Sequence, residues 1–168
     1  MKKTLLKAIA FMLLALVANA QNDKPRESPK ATAKGTAGKK TITIEYGQPS
    51  VKGRKIWGDL VPYGQVWRTG ANESTSIEFS DDVEVEKNKV SKGKYALFTI
   101  PGEKEWTIII NKAIAWGAYS YKQEDDVVRF TVPVQKAKSF QEKLTFNVLP
   151  SGVVALEWEN VRVEFAVK

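Results

Sequence analysis

The 168-residue chain contains no cysteine and no histidine. Without cysteine it has no disulfide, no thiolate nucleophile and no iron–sulfur ligand set. Without histidine it has no Ser–His–Asp triad and no ordinary zinc site, because such zinc sites take Cys or His ligands. The sequence also has no phosphate-binding loop and no dinucleotide fingerprint. Any chemistry therefore depends on carboxylates, Tyr, Lys, Arg, Ser or Thr, and no cofactor is predicted.

The first twenty residues have the pattern of a signal peptide. Lys2 and Lys3 precede a nearly continuous apolar run over residues 5–17, and Ala18-Asn19-Ala20 supplies a small–x–small cleavage pattern. The run is shorter than the ~20 apolar residues of a membrane span, so an uncleaved anchor is the weaker alternative. The sequence thus predicts a periplasmic or secreted protein with no stable membrane insertion after cleavage.

The segment behind this leader is polar and basic. Removing the leader's three lysines lowers the net charge from +7 to +4, and charges of both signs are interspersed in the remainder. No nucleic-acid surface is therefore predicted. Residues 21–40 have no large apolar side chain and cannot bury surface, so they are predicted to form a flexible linker. Residues 41–168 are then predicted to form a single domain.

Apolar residues alternate with polar ones along most of that domain. TITIEY at residues 41–46, VEVE at 83–86 and VRVEFAV at 161–167 show a period of two, which is typical of strands with one buried face. Turns are expected at Asn88-Lys89, Pro101-Gly102 and Pro150-Ser151-Gly152. The pattern predicts an all-β, antiparallel β-sandwich (jelly-roll-like) of about nine strands, with one long irregular insertion. Only residues 135–143 favour a short helix, and weakly.

The irregular insertion spans residues 49–75 and holds four glycines, two prolines, two tryptophans and two arginines. A long irregular segment inside a compact domain is often functional. In one interpretation it is structural, so that Trp57, Trp67 and Tyr63 plug an open end of the sandwich while Arg54 and Arg68 cap carboxylates or carbonyls. In the other, aromatic rings and guanidinium groups line a pocket for a sugar or a small anion. That binding site consists of Arg54, Trp57, Tyr63, Trp67, Arg68, Asn72 and Glu73.

Aromatic and acidic residues outside this insertion are also candidates for the core, for the binding site or for a metal site. Trp106 and Trp158 share strand parity with apolar neighbours and are predicted to be core, whereas Trp116, Tyr119 and Tyr121 are weaker candidates for the site. Acidic clusters at residues 81–86 and 124–126 follow no calcium-loop pattern, so no metal site is predicted.

Several motifs in and around the insertion resemble those of an exported bacterial family known as domain of unknown function 2911. They are YGQP at residues 46–49, GR at 53–54, WG at 57–58, LVPYG at 60–64, WRTGANE at 67–73, GKYALFTIP at 93–101, EW at 105–106 and WG at 116–117. The resemblance covers about residues 28–167 and implies a secreted or periplasmic β-rich domain. It implies no activity, substrate or cofactor. One departure is EKNK at residues 86–89, where Asn88 replaces an expected turn glycine.

Three functional hypotheses follow from the sequence. The favoured one is a non-enzymatic exported module that binds a small polar or anionic ligand or a glycan. The second is a histidine-independent glycoside hydrolase with Glu73 and Asp59 as its acid/base pair. The third is a structural envelope protein without a pocket, in which both arginines are paired internally.

Overall fold

The computed structural model describes residues 26–114 and 118–168, and within them the chain is almost entirely β. Ten strands occur in this part of the chain, close to the nine expected, with two short 3₁₀ helices at Ala118–Ser120 and Gln123–Asp125. The strands are β1 (Lys30–Ala37), β2 (Lys40–Gly47), β3 (Ser76–Phe79), β4 (Val83–Val85), β5 (Asn88–Val90), β6 (Gly93–Ile100), β7 (Glu105–Asn111), β8 (Asp126–Pro133), β9 (Gln135–Val148) and β10 (Val153–Ala166). No helix in the described ranges has the length and apolar character needed to cross a membrane.

Six strands form one antiparallel sheet in the order β1-β2-β3-β6-β7-β8, while β9 pairs with β10 and β4 pairs with β5. The alternation in β2 explains its place, because Ile42, Ile44 and Tyr46 are buried while Thr43 and Glu45 are not. The predicted all-β class with antiparallel sheets is confirmed.

The main core lies between the six-stranded sheet and the β9–β10 hairpin. Tyr46 of β2 packs edge-on against Phe146 of β9 with ring centroids 4.9 Å apart, and Phe130 of β8 does so against Phe165 of β10 at 5.8 Å. Buried residues from both layers belong to one continuous apolar cluster. The two layers are therefore held together by apolar burial, as in a β-sandwich.

The predicted linker over residues 21–40 is wrong for its second half. Residues Lys30–Ala37 form β1, which pairs with β2 from Lys30 opposite Gly47 to Ala37 opposite Lys40. The strand has no large apolar side chain, and β9 passes close to it: a Cβ on Gly35 would lie 2.6 Å from the Val148 carbonyl oxygen. The domain therefore begins no later than Lys30, and residues 21–25 lie outside the described part.

The weak helix predicted at residues 135–143 is also wrong, because this segment belongs to β9. Between the pairs Lys136–Val161 and Gln141–Glu159, four residues of β9 face only one of β10. Such bulges interrupt the period of two and hide the strand from a pattern analysis.

The turn expected at Asn88-Lys89 lies two residues earlier. Glu86 and Lys87 have φ of 45° and 69°, so both turn residues are in the left-handed region, as in a type I′ hairpin. The Asn88 side-chain amide donates to the carbonyls of Val85 and Glu86, 3.2 and 2.9 Å away. Asn88 thus supports the turn from β5 rather than forming it.

Candidate functional site

The irregular segment, residues 49–75, is fixed to both layers of the sandwich. At its start the Val51 N–H donates to the carbonyl of Glu142 in β9, at 2.8 Å. Further on, Trp67 exchanges two backbone hydrogen bonds with Thr99 of β6, at 2.7 and 2.9 Å. The segment is therefore a packed end of the molecule, and its side chains have defined positions.

Four tryptophans meet where this segment crosses the core. Trp57 contacts Trp67, Trp106 and Trp158 edge-on, with ring centroids 6.0, 4.9 and 5.7 Å apart. Trp67 is stacked on Trp158 at 6.0 Å and lies edge-on to Trp106 at 6.1 Å. Trp106 and Trp158 are each 1% exposed, as predicted for core residues. Trp57 is also buried, so its main role is packing.

A cavity of about 490 Å³ opens beside this indole cluster, which we call the Arg68 cavity. Of the predicted site residues it brings together Arg54, Trp67 and Arg68. The other lining residues are Glu27, Ser28, Pro49, Ser50, Lys52, Leu60, Val61, Gly70, Ala71 and Trp158. Its size is in the usual range for small-molecule sites.

The two arginines of the cavity differ in how they are bonded. Arg54 is exposed and donates from its guanidinium to the carbonyls of Ser50 and Val51, at 2.5 and 3.1 Å. This arginine caps the turn on which it lies, as the structural interpretation expects.

Arg68 is half-buried and has no acceptor among the described residues. Its Nε atom is inaccessible to water and makes no hydrogen bond. The Nε1 atoms of Trp57 and Trp158 are buried without an acceptor as well. A buried donor left unpaired costs roughly 1–3 kcal/mol. These three N–H groups therefore lower the stability of the fold, and the fold alone does not explain why they are there.

The cavity is lined by more positive than negative charge. Lys52, Arg54 and Arg68 are its basic residues, and Glu27 is its acidic one. Over residues 26–114 and 118–168, none of these four side chains forms an ion pair. Among the described residues, the lining of the cavity therefore carries a net positive formal charge.

Asn72 and Glu73, two of the predicted site residues, do not line the Arg68 cavity. They hold residues 26–29, which we call the N-terminal strap. The Asn72 side-chain amide donates to the Ser28 carbonyl at 3.2 Å, and Arg26 donates to both Glu73 oxygens at 2.7 and 3.1 Å. The Arg26 hydrogen bond lowers the pKa of the Glu73 carboxyl. Because Glu27 and Ser28 line the cavity, these contacts fix part of its rim.

Tyr63 and Asp59 also lie outside the cavity lining. Tyr63 is 38% exposed and packs over Gly58; burial first, then the charges of Glu103 and Glu159, raise the pKa of its hydroxyl. Asp59 is exposed on the same turn.

A second cavity of about 240 Å³, the Glu73 cavity, is lined by Glu73 but not by Asp59. The structure therefore does not bring the hypothetical acid/base pair to one site. The charged residues that line the Glu73 cavity are paired with one another: Lys94 with Glu45 at 2.5 Å, and Lys30 with Glu73 at 3.6 Å.

Of the weaker candidates beyond β7, Tyr119 and Tyr121 do not line the Arg68 cavity. Trp116 lies outside the described residues. Tyr119 is 98% exposed, and Tyr121 packs on Phe98 at 5.3 Å, in a separate apolar cluster. The Tyr121 hydroxyl donates to Asp126 at 2.9 Å and accepts from Arg129.

Sequence reasoning missed four lining residues that matter for the cavity: Glu27, Ser28, Lys52 and Trp158. The first two were assigned to the linker, and the small-residue alternation of β1 was the signal that could have placed them near the fold. Within the described ranges no group of three or more acidic residues is arranged to hold a metal ion.

No curated protein and no solved structure shows significant similarity to this chain. One family model does match, over residues 28–167, and that span includes β1, the irregular segment and the whole Arg68 cavity except Glu27. The motifs on which the resemblance rests thus lie within a match to nearly the whole chain. The chain therefore belongs to the family described as a protein of unknown function (DUF2911).

Proposed function

We propose that the protein is an exported binding module that holds a small polar or anionic ligand, or a glycan, in the Arg68 cavity. The observation that carries this proposal is Arg68 itself, a half-buried guanidinium that lines the cavity and has no acceptor among the described residues. A cation in this environment is destabilising unless it is compensated. A bound ligand with acceptor atoms would supply that compensation.

The bonding of the two arginines supports this proposal over a purely structural role. A structural envelope protein without a pocket would pair both arginines internally. Only Arg54 meets that expectation, through the carbonyls of Ser50 and Val51. Export is supported by the basic residues, apolar run and small–x–small site at the start of the sequence.

The proposal is tested with a ligand panel on the chain that begins at Gln21. Thermal unfolding is followed with small organic acids, phosphate esters and neutral sugars, for the wild type and for Arg68→Gln. We expect at least one class to raise the unfolding temperature of the wild type, because a ligand that binds only the folded state stabilises it. Arg68→Gln should lose this response.

Lys94→Gln is the matched control, because Lys94 lines the Glu73 cavity and not the Arg68 cavity. This variant should keep the wild-type response. An Arg68→Gln variant that responds as the wild type does would contradict the proposal.

A further inference from the structure

The lining of the Arg68 cavity is rich in hydrogen-bond donors and poor in acceptors. Arg54, Arg68, Lys52 and the Trp158 indole N–H can only donate, whereas Glu27 is the one carboxylate among the described lining residues. Ser28 and Ser50 can do both. A neutral sugar hydroxyl donates as well as accepts. In this lining most of the sugar's hydroxyl hydrogens would find no acceptor.

The indole faces that a sugar ring would need are already in use. Trp158 is 1% exposed, and it is stacked on Trp67 and lies edge-on to Trp57. Trp67 contacts three other indoles. Trp158 therefore offers no open stacking face, and Trp67, which is half-buried, has one face covered by Trp158.

The cavity is better matched to negative charge. The buried Nε of Arg68 has no acceptor among the described residues, and the same guanidinium lines the cavity, where a ligand can supply acceptors. Guanidinium groups bind carboxylate and phosphate through two parallel hydrogen bonds, which are stronger than neutral ones. Lys52 and Arg54 add positive charge to the same lining.

The cavity is large enough for an anionic group that is attached to a larger organic body. A bare carboxylate or phosphate group would fill only a minor part of about 490 Å³. Pro49, Leu60 and Val61 supply apolar surface to the remaining lining. An organic body attached to the anionic group would cover that surface and exclude water.

We infer that the ligand is a small organic molecule with a carboxylate or phosphate group, held by Arg68 through that group while its body lies against Pro49, Leu60 and Val61. This inference rests on the proposed function. Glu27, on the strap, is the charge that opposes such a ligand. The strap therefore sets how strongly the cavity holds an anion.

Isothermal titration calorimetry with a set of small probes tests the inference. Benzoate and benzamide differ in charge but hardly in size, phenyl phosphate separates phosphate from carboxylate, and N-acetylglucosamine represents a neutral sugar. Benzoate or phenyl phosphate should bind about tenfold or more tightly than benzamide, and the preference should disappear in Arg68→Gln. Added salt should weaken the preferred probe.

Two further variants sharpen the reading. Glu27→Gln should tighten binding of the anionic probe about two- to fivefold, because it removes an opposing charge. Arg68→Lys should retain binding only in part, since an ammonium group cannot form the two parallel bonds. Lys94→Gln, which changes the Glu73 cavity, should bind as the wild type does.

The possible failures are distinguishable. Equal binding of benzoate and benzamide, or preferential binding of N-acetylglucosamine, would overturn the anionic ligand and leave a binding module in place. Anion binding that persists in Arg68→Gln would overturn the assigned anchor. No binding by any probe would count against the cavity as a binding site, and so against the proposed function too.

Discussion

The Arg68 cavity and the Glu73 cavity both contain charged side chains, but only the second neutralises them. Around Glu73, lysines and carboxylates are matched, with Lys94 on Glu45 and Lys30 beside Glu73. Among the described residues that line the Arg68 cavity, three are basic and one, Glu27, is an acid without an ion-pair partner. Charged residues alone therefore do not mark a candidate binding site. The distinguishing feature is whether those charges already form ion pairs within the protein.

The two cavities also differ in what lies behind them. The Arg68 cavity is backed by the indole cluster and shares its wall with the main core. The Glu73 cavity lies among outward-facing residues of β1, β2 and β6, such as Thr32, Glu45 and Lys94. We therefore expect substitutions behind the Arg68 cavity to change the stability of the fold, and substitutions at the Glu73 cavity to change it little.

The largest expected effect comes from disrupting the indole cluster behind the Arg68 cavity. Trp57→Ala should lower the free energy of unfolding by about 3–5 kcal/mol, because it leaves a void among three other indoles. Ile114→Ala, at the edge of the Glu73 cavity and 46% exposed, should change it by about 0.5 kcal/mol or less. Denaturant unfolding measures the free energy of unfolding of both variants. Equal losses would contradict the expectation that the residues behind the Arg68 cavity contribute more to stability than those at the Glu73 cavity.

The next effect concerns the backbone crossing between the cavities. Gly47 lines the Glu73 cavity, Ala71 lines the Arg68 cavity, and a Cβ on Gly47 would lie 2.0 Å from the Ala71 carbonyl oxygen. Gly47→Ala should therefore displace residues 70–72 and cost about 1–3 kcal/mol. Calorimetric unfolding tests this prediction, and probe binding should weaken in parallel. Wild-type stability would mean that the crossing yields without strain.

A smaller effect, with the opposite sign, is expected at Arg68. Arg68→Met removes an uncompensated charge and keeps most of the stem volume, so stability should stay unchanged or rise by up to about 1 kcal/mol. Arg162 is the contrasting case, since it donates to Glu157 at 2.8 Å and to Glu164 at 2.7 Å. Arg162→Met should cost about 1–3 kcal/mol, because two carboxylates lose their partner. A comparable loss at Arg68 would indicate an internal role for that guanidinium.

The smallest effect is a pH dependence at the Glu73 cavity. The hydrogen bond and charge of Lys94 lower the pKa of Glu45, and Arg26 lowers that of Glu73. A carboxyl with a lowered folded-state pKa contributes stability at neutral pH, and this is lost as the pH falls below about 4.5, through the folded-state value. The pairs are exposed, so Lys94→Gln should cost about 1 kcal/mol or less at pH 7. The wild type and this variant should converge in acid, and a constant difference would contradict the assignment.

The sequence was informative wherever one face of a strand is buried and the other is not. The alternation of Ile42 and Ile44 with polar neighbours identified β2 without any tertiary information. It failed for β1, whose small side chains suit the close approach of β9, and for residues 135–143, where bulges disturb the period. In both cases the cause is a neighbouring strand that the local sequence does not encode.

The candidate site was only partly predictable for a similar reason. Composition marked residues 49–75 as exceptional, and three of seven predicted residues do line the Arg68 cavity. That Arg54 caps carbonyls while Arg68 has no acceptor depends on distances, which composition does not contain. Asn72 and Glu73 bind a strap that was assigned to the linker, so their partners could not be anticipated.

The position of β1 has a practical consequence for how the domain is prepared. A chain that begins at Thr41, as residue composition alone would suggest, lacks the strand that pairs with β2 along its full length. The backbone groups on that side of β2 would then be open to a second molecule, which is a common route to aggregation. It would also lack Glu27 and Ser28, so the Arg68 cavity would be missing part of its rim. A negative binding result with such a shortened protein would not test the Arg68 cavity, because both β1 and part of the cavity rim are missing.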